Sequence, residues 1–108
     1  MTFRVISPAT ARDRLAAGGD DFVLLDCREP VEVAIVSIPG SVFLPMNETP
    51  QRLAELDRAK EIAVICHHGV RSQQVADYLS RLGYPRVASV RGGIDAWAAE
   101  VDPTLPVY

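Results

Sequence analysis

Residues 62–72 read IAVICHHGVRS. The run from Ile62 to Ile65 is apolar on both alternating faces of an extended chain, as an interior strand of a parallel sheet must be. It ends in Cys66. After four more residues, Arg71 and Ser72 begin a stretch whose apolar positions Val75, Tyr78, Leu79 and Leu82 fall at the i, i+3, i+4, i+7 spacing of a helix face. A cysteine is thereby set at the end of a buried strand and at the start of a helix. The first amides of a helix have no intrahelical partner, and its dipole adds partial positive charge there. A loop containing Gly69 can curl further N–H groups around the same point as an anion-binding nest, and Arg71 adds a permanent charge. Such electropositive surroundings make a cysteine react as a thiolate. A cysteine closing an apolar run can instead be a small buried hydrophobe. The two histidines, the glycine and the arginine in the next five positions favour the reactive reading.

The remaining chain alternates strand and helix signals. Residues 3–6 predict a strand. Ser7-Pro8 is an N-cap followed by proline at the first helical position, for a helix that reaches Ala17 and stops at Gly18-Gly19. FVLLD, residues 22–26, is a second strand apolar on both faces. Residues 29–36 read as irregular or as a short helix, Pro39-Gly40 as a turn, and residues 42–44 as a third strand. Thr49-Pro50 repeats the cap-then-proline signal before a helix with Leu53 and Leu56 on its apolar side. The helix over residues 71–82 ends at Gly83, and residues 86–90 predict a further strand. Gly92-Gly93 then turns into a helix carrying Trp97, a core residue. Residues 103–108 hold two prolines and read as an extended surface tail. This order predicts an α/β fold, a parallel sheet with helices on both faces. Ligands bind such sheets at the carboxyl ends of their strands, where Cys66, Cys27 with Arg28, and Arg91 with Gly92 all fall.

Composition narrows the function classes. The 108 residues suit one domain, residues 1–108, and a 48% hydrophobic content supports one small core. A net charge of −3 gives no nucleic-acid or membrane footprint, so any anion-attracting field is local to the cysteine loop. The start MTFRVISP lacks the basic and long apolar segments of a signal peptide. Two cysteines make no disulfide framework, and a reducing cytoplasm is the expected location. His67 and His68 do not complete a four-ligand zinc site. They are expected to point in different directions and face solvent, and neither a metal nor a cofactor is expected.

Four motifs in register resemble one family. They are LLDCREPVE at residues 24–32, IPGS at 38–41, CHHGVRS at 66–72 and RGGIDAW at 91–97. The chain resembles the single-domain rhodaneses, sulfurtransferases of the thiosulfate type. The resemblance implies a three-layer fold around a mainly parallel five-stranded sheet. It implies that Cys66 takes up sulfane sulfur as a persulfide and that Arg71 closes the loop around it, both as catalytic residues. His67, His68, Gly69, Val70 and Ser72 would then bind substrate, while Asp26 and Arg28 support the loop from the neighbouring strand. The implied donor is a small molecule such as thiosulfate; the acceptor is a thiol, cyanide or a protein. Val36-Ser37 depart from the family's glycine-histidine pair before the IPGS turn. Cys27 stands where a β-branched residue is usual; it reads as a packing residue, with a resolving thiol for Cys66 as the alternative.

Three other classes use the same features. A cysteine phosphatase or an arsenate reductase also sets a thiolate in an arginine-closed cradle. Those phosphatases have five residues between cysteine and arginine, whereas four stand here, a cradle sized for one sulfur atom. A docking module needs no nucleophile, so Cys66 argues against it. A persulfide carrier fed by a partner protein shares every motif with the free enzyme.

Overall fold

The computed structural model describes residues 3–108; Met1 and Thr2 of the expected 1–108 domain lie outside the described residues. The strands are β1 (Arg4–Ile6), β2 (Phe22–Asp26), β3 (Val42–Phe43), β4 (Glu61–Ile65) and β5 (Val87–Val90). They form one sheet in the order β1-β5-β4-β2-β3, every pair parallel. Four α-helices accompany it, α1 (Pro8–Ala17), α2 (Pro30–Ile35), α3 (Val70–Arg81) and α4 (Gly93–Glu100).

β4 is central, and all five of its residues are buried. Its alternation sorts the core into two layers. Ile62, Val64 and Cys66 pack with Leu25 and Cys27 against Val75, Ala76 and Leu79 of α3. Ala63 and Ile65 pack with Leu24 against Ala11 of α1 and Ile94 and Trp97 of α4. The expected α/β architecture, a parallel five-stranded sheet with helices on both faces, is the observed one.

Local signals place most elements. Ser7 caps α1 by accepting the Thr10 amide at 3.1 Å, ahead of Pro8 at the first helical position. Three departures have physical causes. The segment after Thr49-Pro50 forms a 3₁₀ stretch, Pro50–Glu55, rather than an α-helix, and a second 3₁₀ turn, Met46–Glu48, precedes it. Thr49 Oγ1 donates back to the Pro45 carbonyl at 3.2 Å, and Thr49 itself has helical angles, φ −55° and ψ −45°, rather than the extended ones of an N-cap. Leu82, placed on the apolar face of α3 by its spacing, lies beyond the helix end and is exposed. The tail is not a free surface strap, because Leu105 and Tyr108 pack against the α1–α4 layer. No helix among the described residues is long and apolar enough to cross a membrane.

β4 begins at Glu61, one residue before its apolar run. The Glu61 carboxylate is nearly buried and is paired with Arg4 at 2.5 Å and with Arg14. These two arginines let a charged residue open an interior strand, since a buried charge has to be matched.

Candidate active site

β2, β4 and β5 converge with the start of α3 on Cys66, which is buried at the end of β4. Gly69 stands at the N-cap of α3 with φ 102°, in the left-handed region, and offers no side chain to cap the helix. The cysteine sulfur takes that place. Sγ accepts the amides of Gly69 at 3.0 Å and Ser72 at 3.3 Å. The Cys66 thiol also lies 3.5 Å from Ser72 Oγ. Ser72 is buried; its hydroxyl donates to the Gly69 carbonyl at 3.1 Å and sits 2.7 Å from Ser89 Oγ on β5. Strand end and helix start thus fix one sulfur atom against two N–H donors, with a buried pair of hydroxyls beside it. Val70, the first residue of α3, points outward.

α4 holds the same loop from its other side. Its Ile94 amide donates to the Cys66 carbonyl at 2.7 Å, and its Asp95 amide to the His67 carbonyl at 3.2 Å. That approach requires Gly93, whose φ is 64°. A Cβ there would stand 2.4 Å from the Cys66 carbonyl oxygen and 2.5 Å from that of His67. Gly93→Ala is therefore expected to cost about 2–4 kcal/mol through strain and overlap, measured by chemical denaturation. A loss under about 0.5 kcal/mol would mean that α4 does not press on the loop.

The mouth of the loop is built from charges. Arg71 does not turn its guanidinium to the loop carbonyls. It forms a two-pronged ion pair with Glu32 of α2, at 2.6 and 2.8 Å. Glu32 also accepts the Glu29 amide at 3.0 Å and the Tyr108 hydroxyl at 2.8 Å. Arg28 is wholly buried and paired with Asp26 at 2.7 Å. It further donates to the Val36 carbonyl at 2.6 Å and to Tyr108 Oη at 3.0 Å. The Tyr108 ring stacks on His67 with centroids 3.9 Å apart. Asp26 and Arg28 therefore reach the cysteine loop through Tyr108 and the Glu32–Arg71 pair rather than by direct support.

The histidines correct the sequence expectation. They do not diverge; their rings stack at 3.8 Å, and both turn a nitrogen to Asp95, His67 Nε2 at 3.4 Å and His68 Nδ1 at 3.0 Å. His68 faces solvent, whereas His67 Nε2 is shut off from it and makes no hydrogen bond among the described residues. The three side chains bring ligand atoms within 4.8 Å of one another. One metal ion does not fit them as they stand. An ion lies in the plane of each imidazole that binds it, about 2.0–2.1 Å from the nitrogen. Two rings stacked at 25° do not share such a point.

Burial pushes the Cys27 thiol up to about 12, helped by the negative charges of Cys66 and Asp26. Cys27 stays protonated and belongs to the core, in line with the packing reading. Glu32 moves the other way. The Arg71 hydrogen bonds hold its carboxyl at about 2, against an opposing effect of burial. Because the folded value lies below the free value of 4.5, ionised Glu32 stabilises the fold above pH 4.5, and that contribution is lost as pH falls toward 2. The stability difference between the native chain and Glu32→Gln should be constant above that range and shrink within it, as read by thermal melts across pH. A constant difference down to pH 2 would mean that the carboxylate does not hold Arg71.

The family model described as Rhodanese-like domain matches residues 7–100. The chain belongs to the rhodanese-like domain family. This rhodanese-like domain is 42% identical over 82 residues to a sulfurtransferase of Allochromatium vinosum, covering 76% of the chain and 77% of the relative. It is 37% identical to the putative sulfurtransferase YtwF of Bacillus subtilis, covering 95% of the chain and 98% of the relative. Among solved structures, a rhodanese-related protein of Thermoplasma volcanium superposes with a TM-score of 0.83 at 34% identity, covering 98% of the chain and all of that protein.

Four residues of the rhodanese-like site escaped the sequence reading. Ser89 was hidden in the apolar strand VASV, where a lone hydroxyl was the available signal. Tyr108 sits in the tail and Asp95 behind the glycine pair, far in sequence from the loop they touch. Glu32 was visible only as one acid among several near arginines.

Proposed function

We propose that this rhodanese-like domain is a sulfurtransferase that carries sulfane sulfur on Cys66. The observation that carries the reading is the pair of amides, Gly69 and Ser72, aimed at Sγ from the start of α3. The Cys66 thiolate attacks the outer sulfur of a donor, thiosulfate or a related compound. An Sγ–S bond forms, the donor's S–S bond breaks, and the leaving group departs with the electron pair. An acceptor thiolate or cyanide then attacks the outer sulfur of the persulfide, and Cys66 leaves as thiolate. The reaction is covalent and two-step, and ping-pong kinetics follow. The loop amides and the α3 dipole lower the energy of the anionic sulfur in each state, acting as fixed dipoles that need no reorganisation. The four-residue spacing from Cys66 to Arg71 supports sulfur over phosphate as the atom held. Gly69, Ser72 and Cys66 carry the chemistry, and His67 and His68 form the rim that a donor or protein acceptor meets.

The test is intact mass after incubation with a sulfane-sulfur donor. The protein should gain one sulfur atom, lose it to cyanide, and gain none as Cys66→Ser. Release of phosphate from an aryl phosphate without any sulfur gain would instead assign a phosphatase.

A further inference from the structure

β2 and β4 run parallel and in register, with Leu25 opposite Val64 and Asp26 opposite Ile65. The next pair along is Cys27 and Cys66. The Cys27 amide still donates to the Ile65 carbonyl at 3.1 Å, so the ladder continues to this pair. Neighbouring strands lie about 4.7–4.9 Å apart, inside the range of about 4.4–6.8 Å over which a disulfide bridges two Cα atoms. Side chains alternate between the faces of a strand, and both cysteines fall on the α3 face, in one core layer with Val64 and Val75. Both are free thiols, and the chain has no other cysteine.

The two thiols differ in kind. The Cys66 sulfur accepts the Gly69 and Ser72 amides, the setting of a thiolate that oxidants attack. Cys27 is held neutral: burial, and next the negative charge of Cys66, push it up to about 12. A sulfenic acid on Cys66 carries no charge, so oxidation of Cys66 itself removes the second of these causes.

We propose that Cys27, a packing residue in the reduced protein, is also a resolving thiol that captures oxidised Cys66 as a disulfide joining β2 to β4. The proposal goes beyond the sulfurtransferase reading and shares with it only the Cys66 thiolate. The oxidant is a peroxide. The thiolate attacks one peroxide oxygen, the S–O bond forms, the O–O bond breaks, and hydroxide leaves with the electron pair. Cys27 then attacks the sulfenic sulfur. The S–S bond forms and the S–O bond breaks, and the hydroxyl takes the Cys27 proton and departs as water. With Sγ bonded to Cys27 no thiolate is left and transfer stops, until a dithiol reductant restores both cysteines. Without Cys27 the sulfenic acid stays open to further peroxide, which carries it to sulfinic and sulfonic acids that a dithiol does not reverse.

The experiment compares the native chain with Cys27→Val, each first stripped of bound sulfur with cyanide and then exposed to hydrogen peroxide. The readouts are intact mass, peptide mapping, and the fraction of Cys66 that dithiothreitol returns to a thiol alkylated by iodoacetamide. The native chain should lose two hydrogen atoms, yield a peptide cross-linked between Cys27 and Cys66, and recover its Cys66 thiol. Cys27→Val should instead gain two or three oxygen atoms. Its irreversible loss of the Cys66 thiol should be at least about tenfold faster, because a thiol fixed beside the sulfenic acid outcompetes peroxide from solution. Equal irreversible loss in the two proteins, or oxygen gain without a cross-link in the native chain, overturns the proposal. Should Cys27→Val fail to melt like the native chain, the cross-linked peptide of the native chain decides alone: its presence supports the proposal and its absence overturns it. A native chain that peroxide leaves unchanged also overturns it. Sulfur gain by the unoxidised chain is measured separately, so that failure is distinct from failure of the sulfurtransferase reading.

Discussion

Cys66→Ser should lower sulfur transfer by at least about 10⁴-fold, since removing a covalent nucleophile leaves only binding and electrostatics. The variant should nonetheless fold. Cys66 is buried, so deletion of the side chain would leave a void, but serine keeps an atom in place. Its oxygen can accept the same Gly69 and Ser72 amides that now reach Sγ at 3.0 and 3.3 Å. The expected change in stability is within about 1 kcal/mol. The measurements are kcat/KM with a sulfane-sulfur donor, intact mass, and a thermal melt. Retained transfer with a native melt would remove Cys66 from the mechanism. Lost transfer together with a lost melt would make the cysteine a packing residue. The neighbouring thiol provides the contrast. Cys27 lies in the same core layer but is pushed up to about 12, so Cys27→Val should leave transfer in place.

What the sequence carried, and what it did not, follows from the range of each interaction. β2 and β4 were legible because burial on both faces favours an unbroken apolar run, and FVLL and IAVI are such runs, with Asp26 closing β2 and the paired Glu61 opening β4. The cysteine loop was legible because strand end, glycine and helix start are consecutive residues, so their geometry is local. The site's charges were not legible in the same way. Arg71 meets Glu32 across 39 positions, and Tyr108 meets Glu32 across 76. No periodicity or spacing links such residues, because their meeting depends on how β2 and β4 pair and where the tail returns. The two histidines illustrate a third limit. Adjacent side chains on a tight loop are expected to diverge, but this loop folds around Sγ with α4 bonded to its carbonyls, and both rings turn toward Asp95.

Arg28→Ala should be the most destabilising single substitution in the charged network, although Arg71 lies closer to the chemistry. The Arg28 guanidinium is wholly enclosed, and the Asp26 carboxylate beside it is 2% exposed. It answers Asp26 with three contacts between 2.7 and 3.2 Å and also satisfies the Val36 carbonyl and Tyr108. Truncation leaves the Asp26 carboxylate buried without its counter-charge, with only the residue-28 amide still donating to it, and the Val36 carbonyl without this donor; breaking a buried pair this way costs about 3–5 kcal/mol. For a domain of this size the melt should fall by roughly 10–25 °C. Arg71→Ala behaves differently. Its partner Glu32 is less enclosed than Asp26 and keeps the Glu29 amide and the Tyr108 hydroxyl as donors, so the melt should fall by less than for Arg28→Ala. The double variant Asp26→Leu with Arg28→Leu separates charge from packing. Removing both charges relieves the unmatched carboxylate, and the double variant should melt above Arg28→Ala. If Arg28→Ala melts with the native chain, the buried pair is not what holds β2 to the 26–36 loop, and the charge network is a surface feature after all. If the double variant melts no higher than Arg28→Ala, the carbonyl of Val36 and the hydroxyl of Tyr108, rather than Asp26, are the groups that depend on this arginine.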